Sequence, residues 1–382
     1  MPSVSDHRSA ARRRLPRFLF DYLEGGAGSE RTLARNVRDL DRIEIRQRVL
    51  RDVSRIDLTT AWLGAPQAMP IGLGPVGLAG MYARRGEVQA ARAAHAAGIP
   101  FCLSTVSVCG LKEVNASAGA APWFQLYMVR DRGFMRDLIR SAQDLGCGAL
   151  VFTVDMPAPG VRHRDGRSGL SGRFGPSRRL FQALGKPRWA ADVGLLGKPH
   201  TLGNVAPVLK GGSGMEDFMG WLGANFDPSI SWADLDWIRD NWSGPLIIKG
   251  ILDVEDARRA RELGSQGVVV SNHGGRQLDG AISTARRLPA IADAVRQDML
   301  VLVDSGVRSG ADVFRMLALG ADGVLLGRAW VYALAAAGGR GVSECLEMFE
   351  RELRTTMALA GCTRLDAINP TSLENTYRTK DF

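Results

Sequence analysis

Short, continuous apolar runs recur along the chain, separated by stretches whose apolar positions fall at helical spacing. The runs are Met69–Pro75, Ile99–Thr105, Pro122–Tyr127, Ala149–Asp155, Pro245–Gly250, Gly267–His273, Met299–Gly306 and Gly323–Gly327. Most are rich in Val, Ile and Leu and do not alternate with polar residues, as expected of parallel strands buried on both faces. Helical patterns cover Gly86–Ala97, Arg132–Leu145, Asp253–Leu263 and Gly310–Leu319. Eight strand-then-helix units predict a (β/α)₈ barrel of the TIM type rather than an open doubly wound sheet. The barrel is expected over about residues 69–350 of a single domain spanning 1–382.

One interval breaks the rhythm. About ninety residues separate the fourth run from the fifth, and 166–223 is Gly-, Pro- and Arg-rich with little periodicity. This reads as a long insertion after strand four, on the C-terminal face of the barrel where functional loops are built. Ahead of the barrel, Asp6–Tyr22 predicts one helix that ends at Glu24-Gly25-Gly26.

Composition adds limits. With 45% hydrophobic and 23% charged residues the chain has ample material for a large core. The five cysteines are scattered, without metal-ligand spacing, which points to reduced thiols in the cytoplasm and to no metal site. No apolar run approaches the roughly 20 residues of a membrane span, and Met1–Arg14 lacks the apolar stretch of a signal peptide. Net charge is +9. The basic residues gather at Arg8, Arg12, Arg13, Arg14 and Arg17, and again at Arg162, Arg164, Arg167, Arg173, Arg178, Arg179, Lys186 and Arg188. No nucleic-acid-binding pattern accompanies them, which leaves anionic lipid, anionic small ligands or a solvated surface.

Gly72-Leu73-Gly74-Pro75-Val76-Gly77 matches G-x-G-x-x-G, yet Pro75 and the Gly80 loop follow where a helix should start. The next strand also ends without an acid to hold a ribose, so a dinucleotide site is rejected. Barrel phosphate sites use the loops after strands seven and eight. Here these are Asp304-Ser305-Gly306-Val307-Arg308-Ser309-Gly310 and Gly327-Arg328, each with glycine-exposed amides and one arginine. Strand ends on the same face supply Gln125 and Tyr127, Thr153 and Asp155, Lys249, and His273 with Arg276. A lysine in a run as apolar as Leu246-Ile247-Ile248-Lys249 is costly without an anionic or hydrogen-bonding partner. Convergence of these groups at one barrel end points to an active site. Of the five histidines only His273 has such a setting, with His163 a weaker candidate. Hydrolase, zincin and P-loop motifs are absent from the sequence.

Ser271-Asn272-His273-Gly274-Gly275-Arg276-Gln277-Leu278-Asp279 resembles the signature of the FMN-dependent 2-hydroxy-acid dehydrogenase and oxidase family, and the likeness extends over nearly the whole chain. Ala79–Gln89, Leu103–Cys109, Trp221–Gly223 and Asn225–Trp232 resemble the family's bacterial quinone-linked L-lactate dehydrogenase branch. The resemblance implies that His273 is the base that takes the substrate's proton, held by Asp155. It implies that Arg276 and Arg162 grip the substrate carboxylate, with Tyr22 and Tyr127 bonded to carboxylate and hydroxyl. Arg164, two residues beyond Arg162, competes for that role. Lys249 would stand at the flavin's N1 and O2 edge. Pro75, Val76, Gly77, Ser104, Gln125 and Thr153 would contact its ring, and Ser271, Asp304, Gly306, Arg308, Gly327 and Arg328 would complete the FMN site.

The expected reaction is oxidation of L-lactate to pyruvate, with electrons passed to a membrane quinone or another respiratory acceptor. An oxygen-using hydroxy-acid oxidase, a mandelate-type dehydrogenase and, from another class, a flavin-free phosphosugar aldolase or isomerase stand as alternatives. The insertion's basic residues alternate with Phe174, Leu180, Phe181, Leu184 and Trp189, a mixture suited to an anionic bilayer. Peripheral attachment to the cytoplasmic face of the inner membrane is therefore expected, with an active-site lid as the competing role. The family implies a homotetramer.

Overall fold

The computed structural model describes residues 1–170, 175–206 and 225–374; Arg173, Phe174 and the Trp221–Gly223 stretch lie outside the described residues. Each expected run contains a strand: β3 (Ile71–Leu73), β4 (Cys102–Ser104), β5 (Trp123–Tyr127), β6 (Leu150–Thr153), β7 (Leu246–Ile251), β8 (Gly267–Val270), β9 (Leu300–Val303) and β10 (Gly323–Leu326). All pair in parallel in the order β3-β10-β9-β8-β7-β6-β5-β4. A parallel bridge from Leu73 to Phe101 brings β3 to β4 and all but closes the barrel. Helices Gly86–Ala96, Arg132–Asp144, Val254–Glu262 and Gly310–Ala318 fall on the predicted segments.

Because side chains alternate along a strand, one register of each faces the barrel axis. The inward residues Cys102, Trp123, Ala149, Val151, Ile247, Val269, Leu302 and Leu325 pack into one apolar cluster. Trp62 closes its N-terminal end. It comes from a hairpin that the sequence pattern missed, β1 (Thr60–Trp62) with β2 (Ala65–Gln67). Its indole N–H donates to the Asp322 carbonyl at 3.3 Å, and any Cβ on Gly323 would fall inside its ring. At the other end the same register turns polar: Ser104, Gln125, Thr153, Lys249 and Ser271, all buried, with Asp304 just beyond β9. The apolar interior therefore ends in a ring of polar groups at the C-terminal mouth.

Two expectations are corrected. The N-terminal helix is broken into Val4–Arg14 and Arg17–Glu24. Pro16 has no amide hydrogen, and Leu15 before it is extended (φ −78°, ψ 146°), as a residue preceding proline is driven to be. The second of these helices buries Phe18, Leu19, Phe20 and Leu23 and carries Tyr22 to the mouth. The insertion is not wholly irregular either: Gly175–Leu184 is helical and a turn of helix runs through Pro187–Leu195. Its apolar side chains Leu180, Phe181 and Leu184 point to solvent rather than to the core. These three share one face of the helix, and that face is turned outward.

Candidate active site

Beyond β8 the chain turns back through three consecutive residues at positive φ: His273 at 57°, Gly274 at 65° and Gly275 at 74°. The glycines take this conformation freely, but for His273 it costs about 1–2 kcal/mol. Side chains hold the turn. The amide of His273 donates to Ser271 Oγ (3.1 Å), that of Gly274 to Ser305 Oγ (3.0 Å) and that of Gly275 to Asn272 Oδ1 (3.1 Å). Asn272 is itself clamped by reciprocal amide bonds with Asn36 at 2.7 and 2.8 Å. Gln277 donates to the Asp155 carbonyl, and Asp279 accepts from the amides of Ser29 and Thr32. Part of the signature thus fixes the loop and the N-terminal segment rather than meeting a ligand.

The turn aims the imidazole across the mouth, where His273 Nδ1 lies 3.0 Å from Asp155 Oδ1. Gly250 (φ 109°) makes room for that carboxylate, since a Cβ there would stand 2.6 Å from Asp155 Cβ. Burial lowers the pKa of His273 below 6.5, and Lys249 adds to the effect against the pull of Asp155. The ring is therefore a neutral base at neutral pH with its Nδ1–H on Asp155. Burial works against charge on Asp155 as well, but His273 and Lys249 hold its carboxyl below the ordinary range.

Lys249 is buried, with Nζ 3.2 Å from Asp304 Oδ2 and donating to Ser271 Oγ at 3.0 Å. Burial disfavours its charge, yet Asp304 and Asp155 outweigh this and raise its pKa. Lys249 is thus a fixed cation at the floor of the cavity.

Arg276 and Arg162 meet on one side of the mouth. Their guanidinium carbons lie 4.8 and 5.5 Å from the centre of the Tyr22 ring. Arg276 Nη1 donates to the carbonyls of Tyr22 (2.6 Å) and Gly25 (2.9 Å). Its pKa is lowered by burial and by the facing Arg162. Arg164 is committed elsewhere, as a bidentate partner of Glu30 at 2.9 and 2.5 Å. Of the two, it is Arg162 that lines the cavity. Tyr127 is buried beside Phe226 and also lines it.

Arg328 neighbours Arg276, with which it shares the Gly25 carbonyl, and Asp304, Gly306, Arg308 and Gly327 line the same cavity. Arg328 is not an ion-paired surface residue. It donates to the carbonyls of Leu23, Gly274 and Gly25, and burial lowers its pKa to about 9. Gly306 (φ 93°) packs so closely on Asn36 that a Cβ would run into its carbonyl oxygen, whereas Gly327 leaves its backbone bare, with nothing within 4 Å of a Cβ. Pro75, Val76 and Gly77 form the adjoining wall with Val106. Two buried polar atoms in the ring below, Gln125 Nε2 and Thr153 Oγ1, have no hydrogen-bond partner. Bare backbone beside two arginines at one end, and unpartnered amide and hydroxyl groups beside Lys249 at the other, fit a flat polar ring carrying a phosphate tail.

Sequence reasoning missed Tyr82, Met156, Val106 and Leu23, all of which line the cavity. Tyr82 is fully buried with an unpartnered hydroxyl. It sits beyond β3 at the end of the short helical turn Ala79–Met81, so strand-end logic could not reach it. Trp189 is also corrected. It is buried, edge-on to Phe18 and bonded to the Met81 carbonyl at 2.8 Å, and so it belongs to no outward-facing surface. His163 is exposed outside the cavity.

A barrel with a phosphate cradle, a buried cation and a carboxylate-held histidine at one mouth defines a flavin-dependent oxidoreductase. The FMN-dependent dehydrogenase family matches residues 11–375, and the chain belongs to it. It is an FMN-dependent enzyme acting on a hydroxy acid. It is 65% identical to an L-lactate dehydrogenase of Caulobacter sp. (strain K31), over 98% of this chain and 99% of that one. It is 60% identical to an L-lactate dehydrogenase of Ectopseudomonas mendocina (strain ymp), over 95% and 96%. The crystal structure of the monotopic membrane protein (S)-mandelate dehydrogenase superposes with TM-score 0.91 at 37% identity, covering 98% of this chain and 99% of that one. A mandelate oxidase superposes with TM-score 0.83 at 39% identity, over 98% of each.

Proposed function

We propose that the protein oxidises L-lactate to pyruvate and passes the electrons to a membrane quinone. The observation that carries this reading is the neutral, half-buried His273 held by Asp155 in a cavity that Arg162, Arg276 and Lys249 also line. Bound in the cavity, FMN supplies the two-electron acceptor. Ser104, Gln125, Thr153 and Lys249 would hold its ring, Pro75, Val76 and Gly77 would lie along it, and Asp304, Gly306, Arg308, Gly327 and Arg328, with Ser271 beside Lys249, would complete the site. Arg276 and Arg162 bind the substrate carboxylate, which their shared place against Tyr22 suits. Tyr22 and Tyr127 orient the carboxylate and hydroxyl. His273 Nε2 takes the substrate's proton while Nδ1–H stays on Asp155, whose charge stabilises the imidazolium as it forms. The close relatives' names favour lactate over a bulkier acid.

Anaerobic titration with L-lactate, D-lactate, glycolate and mandelate tests this by the flavin absorbance. L-lactate should bleach it fastest, and faster bleaching by mandelate would replace the substrate. Comparing a quinone analogue with oxygen as acceptor should favour the quinone.

The same reading includes attachment to the cytoplasmic face of the inner membrane. Among the described residues no helix is long and apolar enough to cross a bilayer. Helix Gly175–Leu184 exposes Leu180, Phe181 and Leu184, at 61%, 76% and 67%, next to exposed Arg178 and Arg188. Leu195 and Leu196 follow, also exposed. Apolar side chains bordered by arginines suit the interface of an anionic bilayer, and the structural neighbour is described as monotopic. The double variant Phe181→Glu/Leu184→Glu should lose sedimentation with phosphatidylglycerol vesicles while keeping flavin reduction. Undiminished vesicle binding would rule this helix out as the anchor.

A further inference from the structure

Beside the two arginines lies a carboxylate that no catalytic role above employs. Asp165, on the helix His163–Ser168, is 6% exposed, and its Oδ1 meets no hydrogen-bond donor. Its Oδ2 stands 3.7 Å from Arg162 Nη1. That is too long for a hydrogen bond and short enough for strong attraction between buried charges. Arg162 caps the N-terminus of this helix and Asp165 lies one turn on, so the carboxylate reaches back to the guanidinium. Arg162 Nε is likewise buried without a partner.

Arg164 provides the contrast. It grips Glu30 through both Nε and Nη2. Arg162 is attracted but not occupied. Its side chain rests against the Tyr22 ring, on which Arg276 also bears. Two cations near one ring repel each other, and a nearby anion keeps the weaker-tethered one from swinging to solvent.

We propose that Asp165 is a positioning residue that holds Arg162 at the mouth by charge alone, leaving the guanidinium donors open for the substrate carboxylate. This rests on the reading of Arg162 as a carboxylate ligand. Asp165 is faced by Arg162 and Arg164 from its own segment, Arg276 from the turn after β8, Asp21 from the helix Arg17–Glu24 and Tyr82 from the turn Ala79–Met81. Burial raises its pKa, with the arginines opposing. Protonation therefore begins above the ordinary aspartate range, and as pH falls through that pKa the hold on Arg162 is lost.

The test measures KM and kcat of the FMN-loaded enzyme between about pH 5 and 8 for wild type, Asp165→Asn and Asp165→Glu. Wild-type KM should rise toward acid. Asp165→Asn should show KM raised roughly tenfold or more at neutral pH, a smaller change in kcat, and no further acid rise. Asp165→Glu should restore part of the neutral KM. An unchanged KM in Asp165→Asn overturns the proposal. So does a parallel loss of KM, kcat and bound FMN that Glu does not rescue, which would mark a scaffold residue. If Asp165→Asn does not accumulate, Asp165→Ser takes its place, and an unchanged KM in that variant overturns the proposal. The comparison uses whichever 2-hydroxy acid reduces the wild-type flavin, so a wrong substrate assignment and a wrong role for Asp165 give different results.

Discussion

His273→Ala should purify with FMN bound and show almost no flavin bleaching when mixed anaerobically with L-lactate. Removal of a positioned general base lowers rates by roughly 10²–10⁴-fold, and the neighbouring groups offer no substitute. Asp155 is held ionised but stands behind the ring, Lys249 is kept protonated by Asp304, and the tyrosines at the mouth are poor bases. The effect on FMN retention should be small, because the proposed FMN phosphate site uses residues 304–308 and 327–328, which line the cavity apart from the His273 ring. Loss of the strained left-handed histidine costs the fold nothing extra, since alanine meets a similar penalty at that φ. The wild-type rate carries a matching pH signature. With the His273 pKa lowered, the base stays neutral at pH values where an ordinary histidine is half protonated. The acid limb of the reduction rate should therefore lie below pH 6.5. Normal bleaching in the alanine variant would remove His273 from the reaction, and an acid limb well above that value would contradict its burial.

The eight barrel strands were legible because each is buried on both faces, so composition alone marks them. Lys249 was legible for the same reason: a cation at the end of a run as apolar as β7 must have a partner, and Asp304 and Ser271 are that partner. Segments whose contacts are made at long range were not legible. Trp62 reads as a lone aromatic ahead of the first predicted strand, and only the folded chain shows it capping the barrel against Gly323. Trp189 lies among arginines in the sequence but is drawn inward by Phe18 and Met81, from segments far away in the chain. Arg162 and Arg164 could not be separated by spacing. Glu30 separates them, and its approach depends on how the N-terminal helices fold around Pro16. The carbonyls of Leu23 and Gly25 that occupy Arg328 are invisible to any motif, because main-chain acceptors carry no residue signature.

Arg276→Lys should raise KM for L-lactate roughly a hundredfold, about 3 kcal/mol, and lower kcat as well. A guanidinium can bond to main-chain carbonyls with one nitrogen and present its other edge to a carboxylate. Arg276 is placed for this, with Nη1 engaged by Tyr22 and Gly25 and the plane set against the Tyr22 ring at 4.8 Å. A lysine ammonium is shorter and strongly hydrated, and it cannot span both duties. It either satisfies the carbonyls and abandons the substrate, or turns to the substrate and frees the Tyr22–Gly25 segment. The first outcome leaves Arg162 alone against the carboxylate, held by a 3.7 Å attraction to Asp165 and its place over the Tyr22 ring, and the second loosens the segment that carries that ring. Arg162→Lys should therefore do less damage than Arg276→Lys, since it disturbs no main-chain anchor. The order of the two variants is the decisive measurement. With FMN content and thermal midpoint kept as checks on folding, an Arg276→Lys enzyme with unchanged KM and kcat would count against its carboxylate role. Equal damage from both variants would mean that the Tyr22 and Gly25 carbonyls add nothing to substrate binding.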